Sequence, residues 1–501
     1  MKFYSHICFF VWPAFVAVAI ADSKRPNIVF ILIDDLRADT LGYKGHPFVE
    51  TPHIDSMATA GIDFANAFVT TSLCSPSRAS FLTGQYMHRH GVVDNTQQMS
   101  TGLRTFPYLL QQSGYRTAFI GKWHMGGSRA DPRPGFDHWV SFRGQGSYSP
   151  TGKTLNVNGQ EVARRSYMTD ELTEYATSWL KKQKHTDVPF LLYLSHKGVH
   201  GLYDPAPRHR DRYRHARLKP PVGIAEPVTS ASDKPMWVRD QRNSWHGVEF
   251  AYYGRSEQTI GEMYRHYCEM ILSIDDSVGR IVQTIQELGV TDETLIVFTS
   301  DGGHLWGEHG LIDKRCAYEE SMRIPLVITC PKRIRAGTRC DELVANIDLA
   351  PTLLELGGVE IPERIDGRSL VSRFKTSPAT DSWRQTLLYE YYWEPNFPQT
   401  PTTFALRGTR FKLIQYHGIW DIDELYDLQR DPREQKNLIG NAEMSHRVAE
   451  MRAALYDQLR TTQGLVIPLG HKRNAGANLR RADGTHRSRF PKQMLRESNL
   501  E

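Results

Sequence analysis

The sequence predicts an α/β protein: a large mixed, mostly parallel sheet flanked by helices, with a smaller C-terminal α+β domain on an antiparallel sheet. Three observations predict it. Short continuous apolar runs recur and stop abruptly at charged or imidazole residues, as strands buried on both faces do. Helical stretches alternate with these runs, which calls for βαβ units and parallel pairing. After about residue 380 the texture changes to short runs separated by turn residues, the pattern of antiparallel hairpins.

The chain has 501 residues, 40% hydrophobic and 23% charged, with a formal net charge of +5. Such values belong to a folded globular protein with a large core and exclude a disordered or fibrous chain. The modest positive charge suits an anionic substrate, and it equally suits an ordinary solvated surface.

Residues 1–21 read as a signal peptide. Lys2 provides the positive start, and Ile7 to Ala21 is apolar, contains Pro13 and closes on small residues. The stretch is short for a membrane span, so the expectation is an exported protein, periplasmic or secreted, with no stable membrane insertion. The chain contains no Asn-x-Ser/Thr acceptor, which favours a bacterial source.

Residues 22–380 form the expected catalytic domain. Its first strand, Ile28 to Ile33, ends at Asp34 and Asp35. A helix over Tyr108 to Ser113 leads to a strand over Arg116 to Ile120, which ends near Lys122 and His124. The apolar run within Val188 to His200 ends in His196 and His200. A long helix from about Glu262 to Leu288 precedes a strand that stops at Asp301, and Arg323 to Pro331 carries a fifth strand. In open α/β sheets sites form at the carboxyl ends of strands, so four such ends imply one shared pocket.

Residues 381–465 form the expected smaller C-terminal domain, with hairpins and a final helix near Ala449 to Leu459. Residues 466–501 read as a basic, loosely ordered tail, with eight Lys/Arg against three Asp/Glu from His471 onward. An exported chain makes a nucleic-acid arm there implausible, so no nucleic-acid partner is expected.

Six cysteines are present, and Cys330 and Cys340 bracket a loop that a disulfide could close. Cys74 lies in "TSLCSPSRASFLTG". Taken alone, it could be a thiol, half of a disulfide, a metal ligand, a buried small hydrophobe or the precursor of something else.

The surrounding residues settle on the last. Cys74, Pro76, Ser77, Arg78, Ala79, Ser80, Leu82, Thr83 and Gly84 match Cys-x-Pro-Ser-Arg-Ala-Ser-x-Leu-Thr-Gly. This resembles the signature of the type I sulfatases of the alkaline phosphatase superfamily, and the resemblance runs from Pro26 to about Leu438. It implies an alkaline phosphatase-like fold and a sulfuric ester hydrolase whose Cys74 is oxidised to formylglycine by a formylglycine-generating maturation enzyme. The hydrated aldehyde then offers one hydroxyl to attack sulfur and a second whose deprotonation expels sulfate.

The resemblance also implies roles for the strand-end residues. Asp34 and Asp35 of "IDDLRADTLG", Asp301 of "SDGGHLWGEHGLIDKR" and the converted Cys74 become ligands of one divalent cation, Ca2+ or alternatively Mg2+. Arg78 binds the diol. Lys122 and Lys314 hold sulfate oxygens, and His124 orients the diol or takes its proton. His200 protonates the leaving alcohol, with His196 as its rival. Gly302 departs from the pattern, because the family has asparagine or histidine there. Water, a backbone carbonyl or His304 would then complete the metal site.

For the substrate, the Arg- and His-rich stretch Leu202 to Lys219 and the aromatics of "RNSWHGVEFAYYGR" and "YEYYWEPNFPQTP" suit a polyanionic carbohydrate. The chain resembles the glycosaminoglycan and N-acetylglucosamine-6-sulfatase-like members, which implies a sulfated glycan ester as substrate. A phosphodiesterase or phosphonate monoester hydrolase of the same superfamily, and a non-catalytic sulfated-glycan-binding protein, are the alternatives.

Overall fold

The computed structural model describes residues 25–127, 129–184, 186–218, 233–241, 246–248, 260–374 and 382–468. The expected signal peptide and the tail from His471 onward lie outside the described residues, as does most of "RNSWHGVEFAYYGR".

A ten-stranded sheet forms the body. Its strands are β1 (Asn27–Ile33), β2 (Ile62–Phe68), β3 (Arg116–Gly121), β4 (His138–Ser141), β5 (Thr154–Val157), β6 (Gln160–Ala163), β7 (Phe190–Ser195) and β8 (Thr294–Ser300). After the short ribbon of β9 (Leu305–Trp306) and β10 (Ile312–Asp313), β11 (Leu326–Thr329) and β12 (Thr338–Ala345) complete it. The order is β12-β2-β11-β8-β1-β7-β3-β4-β5-β6. The central strands β8, β1, β7, β3 and β4 run parallel, while β11 lies antiparallel to both β2 and β8. The mostly parallel, mixed sheet expected from the sequence is what forms.

Strand β1 explains the two-sided core. Val29, Ile31 and Ile33 pack into one apolar cluster, and Ile28, Phe30 and Leu32 pack into the other. All six are fully buried, so each side chain contributes about 2 kcal/mol of apolar burial. On the first face lie helices α1 (Pro52–Ala60), α5 (Met168–Lys181) and α7 (Ile260–Glu287). On the second lie α2 (Cys74–Thr83), α4 (Phe106–Gln112) and α9 (Leu349–Leu356), with α3 (Met87–His90) following α2. Short helices α6 (Met236–Gln241) and α8 (Glu319–Met322) lie between these elements in the chain.

The C-terminal antiparallel sheet comprises β13 (Thr386–Tyr391), β14 (Thr402–Gly408), β15 (Phe411–His417) and β16 (Glu424–Asp427). Helix α10 (Ser445–Thr461) covers it through Val448, Met451, Leu455 and Leu459. The join to the main body is polar as well as apolar: His88 of α3 hydrogen-bonds Glu390 of β13 at 2.7 Å and the Thr462 carbonyl at 2.8 Å.

The five described cysteines are all buried free thiols, so the Cys330–Cys340 disulfide does not form. The reason is topological. β2 lies between β11, which leads into Cys330, and β12, which holds Cys340. Two strand spacings come to roughly 9 to 10 Å, beyond the Cα separation a disulfide spans.

Candidate active site

Strand register brings the predicted groups to one edge. Ile33 pairs with Ser300, and Leu32 and Gly121 both pair with Ser195. The residues that follow therefore leave the sheet together: Asp34, Lys122, His196 and Asp301. Backbone bonds fix their heights, from Asp301 N to Ile33 O at 2.9 Å and from Lys122 N to Ser195 O at 2.8 Å.

Cys74 is the first residue of α2, whose N-terminus points at these strand ends. It is buried, and burial pushes its thiol up to about 12 despite Lys122 and Lys314 nearby. An unmodified Cys74 would be a protonated, poor nucleophile at neutral pH. Lys314 Nζ lies 3.2 Å from its sulfur and also contacts Asp35. Lys122 Nζ contacts Asp34.

Arg78, one turn along α2, ties the edge together. Its Nε donates to Asp301 Oδ2 at 2.8 Å, and its Nη1 donates to the Lys122 carbonyl at 2.8 Å and to Ser195 Oγ at 2.6 Å. Its Nη2 lies 3.4 Å from Asp34 Oδ1. One guanidinium thus reaches the ends of β8, β3, β7 and β1, an arrangement the expected diol-binding role did not anticipate.

Asp34, Asp35 and Asp301 are all buried. Burial opposes the charge on Asp34, but Lys122, His200, Arg78 and Lys314 outweigh it and hold that carboxyl well below its ordinary value. Asp35 goes the other way: burial raises it to about 7 against the pull of Lys314, with Asp34 and Asp301 adding repulsion. Donor atoms of Asp34, Cys74 and Asp301 lie within 4.8 Å of one another, and Asp34 Oδ1 accepts no hydrogen bond. Three crowded carboxylates with an unmet buried oxygen fit a hard divalent cation.

His200 sits across from this group. Its Nε2 is 3.9 Å from Asp35 Oδ2, and its Nδ1 bonds the Gly201 carbonyl at 2.6 Å. Burial, then Lys122, hold it well below the usual imidazole value. His196 faces away from the pocket, with Nε2 3.0 Å from Ser277 Oγ on α7. His124 contacts the start of α2, its Nδ1 3.1 Å from Ser75 Oγ. It is held low by burial and then Lys122.

The gap at Gly302 is real in space. A Cβ built there would face Lys314 Cδ at 3.8 Å, so position 302 looks toward the site without supplying a donor. His304 instead stands with Asp35 and Asp313, 4.0 Å from Asp313 and 3.0 Å from the Tyr203 hydroxyl.

Cys74, His200 and Lys314 open into a cavity of about 580 Å³, lined also by Lys197, Arg315, Tyr148, Lys153, Asn396 and Phe397. A larger cavity of about 840 Å³ lies among α1, α5 and α7 and holds none of the strand-end cations, so the chemistry belongs to the smaller one. The turn between β13 and β14 supplies Asn396 and Phe397. It is pinned by Arg315, which hydrogen-bonds Glu394 at 3.0 Å and lies 3.8 Å over the Phe397 ring.

The Arg- and His-rich stretch Leu202 to Lys219 is different from expectation. Arg208 pairs with Asp170 and Asp276, His209 with Asp276, Arg210 with Asp204 and Arg212 with Glu50. Among the described residues of that stretch, only Leu202 and Asp204 reach the pocket. Arg208, His209, Arg210 and Arg212 are bound to carboxylates of α5, α7 and neighbouring loops, so these four fasten the loop down.

The sulfatase family profile matches residues 26–359, and the N-sulphoglucosamine sulphohydrolase C-terminal profile matches residues 307–461. The chain belongs to the sulfatase family. An N-acetylglucosamine-6-O-sulfatase of Bacteroides thetaiotaomicron is 32% identical over 488 residues, covering 87% of this chain and 86% of that protein. The human N-acetylglucosamine-6-sulfatase is 29% identical, over 77% of this chain and 71% of its own. A protein solved in complex with its substrate, D-glucosamine-2-N,6-O-disulfate, superposes with a TM-score of 0.81 at 30% identity, covering 89% of this chain and 99% of that one. This sulfatase is accordingly a sulfuric ester hydrolase with an alkaline phosphatase-superfamily fold. Among its described residues, no helix is long and apolar enough to cross a membrane.

Of the residues named from the sequence, Cys74, His200 and Lys314 line the pocket; Lys197, Asp313 and Arg315 line it too and were not singled out. Lys197 follows His196, which was weighed as the acid, and Asp313 and Arg315 flank Lys314, which was assigned to sulfate oxygens.

Proposed function

We propose that this sulfatase is exported and removes sulfate from a sulfated glycan, with 6-O-sulfated glucosamine or N-acetylglucosamine as the preferred unit. The observation that carries the reading is that Cys74 shares one pocket with Lys314 and His200 and stands beside Asp34 and Asp301, the carboxylates that Lys122 and Arg78 hold. The likeness to N-acetylglucosamine-6-sulfatases supports the glycan class, and the apolar opening Ile7 to Ala21 supports export.

Formylglycine made from Cys74 would supply a hydrated aldehyde as oxygen nucleophile, and a divalent cation held by Asp34, Asp35 and Asp301 would supply Lewis-acid polarisation of the sulfate. The chain's own groups do the rest. Lys122 and Lys314 hold sulfate oxygens and stabilise charge that builds on them in the transition state. Arg78 fixes Asp301 and the ends of β3 and β7, so the floor keeps its geometry without reorganising. His200 donates Nδ1–H to the Gly201 carbonyl, so Nε2 is the nitrogen that faces the departing sugar oxygen, and it protonates that oxygen once the ring has taken up a second proton with the anionic substrate bound. Asn396 and Phe397 form the wall against which a sugar ring rests.

The test is sulfate release from N-acetylglucosamine-6-sulfate by protein co-expressed with a formylglycine-generating enzyme, beside the mass of the peptide spanning Thr71 to Arg78. Sulfate release with a converted Cys74 is the expected result. Phosphate or phosphonate ester hydrolysis in its place, or turnover with unmodified cysteine, would overturn the reading.

A further inference from the structure

A second cavity, of about 450 Å³, adjoins the catalytic pocket, and Gln145, Gly146, Ser147 and Lys153 line both. Each is large enough to be a ligand site in its own right. Together they leave room beyond the sugar that presents its sulfate to residue 74.

The boundary between them is built firmly. Gly146 has a φ of +67° and lies against the Phe142 ring, where a Cβ would come within 2.5 Å. The next turn is held by Arg164, which is buried. All five of its N–H groups are engaged, by Glu171 and by the carbonyls of Ser147, Tyr148, Ser149 and Ser166. Arg164 therefore shapes the side cavity and has no donor left for a ligand.

The charge of that cavity has one sign. Arg143, Lys153 and Arg164 line it, and among the described residues no Asp or Glu does. Lys153 is exposed, with no carboxylate within 4.0 Å among the described residues. Arg143 pairs with Glu161 at 3.1 Å, but the two side chains are 69% and 43% exposed, so water and salt screen the pair. Both cations can turn to an anion without breaking a buried contact.

We infer that the side cavity is a subsite for the sugar next to the one being desulfated, and that it takes an acidic sugar whose carboxylate or sulfate pairs with Lys153 and Arg143. The inference rests on the sulfated-glycan reading proposed above and deepens it: the preferred substrate is a chain of linked units, not the free monosaccharide. Lys153 touches only the neighbouring unit, so its contact is the same in the ground and transition states and acts on KM alone.

The test uses matured full-length protein and follows release of the 6-sulfate. The substrates are N-acetylglucosamine-6-sulfate alone, or joined on either side to galactose, glucuronic acid or galactose-4-sulfate. In the wild type, KM for an acidic disaccharide is expected to lie roughly fivefold below that for the galactose disaccharide. K153A should remove most of that difference with kcat unchanged, K153R should keep it, and KM for the monosaccharide should stay the same in all three proteins. A gain from the carboxylate, the sulfate or both names the acid that the subsite selects. Equal or higher KM for every acidic disaccharide, or a K153A effect as large on the monosaccharide, would overturn the inference and leave the sulfatase reading intact. A wild type that releases no sulfate from any of these sugars would overturn both.

Discussion

Arg78 holds Asp301 with two nitrogens, Nε at 2.8 Å and Nη2 at 2.7 Å from the same carboxylate oxygen. Both residues are buried, so neither charge has water to fall back on. Removing one partner leaves the other as an uncompensated buried ion, which costs about 3–5 kcal/mol. R78A is expected to lose that much stability in equilibrium denaturation. R78K keeps the charge but lacks the planar fork, so it should recover stability in part and activity little. An R78A protein as stable as wild type would show that the clamp is not structural.

Gly302 makes a prediction of opposite sign. A side chain there meets only Lys314 Cδ at ordinary contact distance, so G302N should be tolerated and should add an oxygen donor to the carboxylates proposed to hold a divalent cation. After dialysis against graded chelator, the variant is expected to keep its cation at about tenfold higher chelator concentration, read as metal per protein by mass spectrometry. Identical retention would place position 302 outside the coordination sphere.

The pair His88 and Glu390 joins α3 to the C-terminal sheet and carries a pH dependence. Burial disfavours the imidazolium, yet the hydrogen bond to Glu390 outweighs it and raises His88 above its ordinary value. Both ring nitrogens face acceptors, Glu390 and the Thr462 carbonyl, which suits the doubly protonated ring. Its stabilisation is then complete below the unfolded value of about 6.5 and is lost as pH rises through the higher folded value. Melting temperatures of wild type and H88Q, followed from about pH 5.5 to 8.5, should converge as pH increases. A gap that stays constant or widens would contradict the charged form.

Asn396 is exposed on the turn that walls the pocket. If it meets the sugar, N396A removes one uniform binding contact, worth about 1 kcal/mol. KM for a sulfated sugar should rise roughly fivefold with kcat unchanged, and 4-nitrophenyl sulfate should be hydrolysed as before. Equal effects on both substrates would assign Asn396 to the turn's own structure.

The strand-end residues were legible because each follows an apolar run that burial forces into the sheet, and parallel register then aligns their ends. Asp34, Lys122 and Asp301 needed nothing more. Strands β2 and β12 carry polar residues within their runs, such as Asp63, Asn66 and Asp341, so hydrophobicity alone did not mark them. The partners of Arg208 and Arg212 lie on α5, α7 and a distant loop. Composition therefore suggested a polyanion site where ion pairs close on themselves. Lys197 was in plain view between two histidines, but its contacts with the Gly201 carbonyl and the Tyr148 ring are a property of three dimensions only.

The pocket has two authors. Its floor is set by strand ends and α2, buried within the core. Its wall comes from the tip of one hairpin in a separate sheet, held chiefly by Arg315. A lineage could rewrite that tip to accept a different sugar without disturbing the reaction beneath it, so selectivity and chemistry are free to evolve at different speeds.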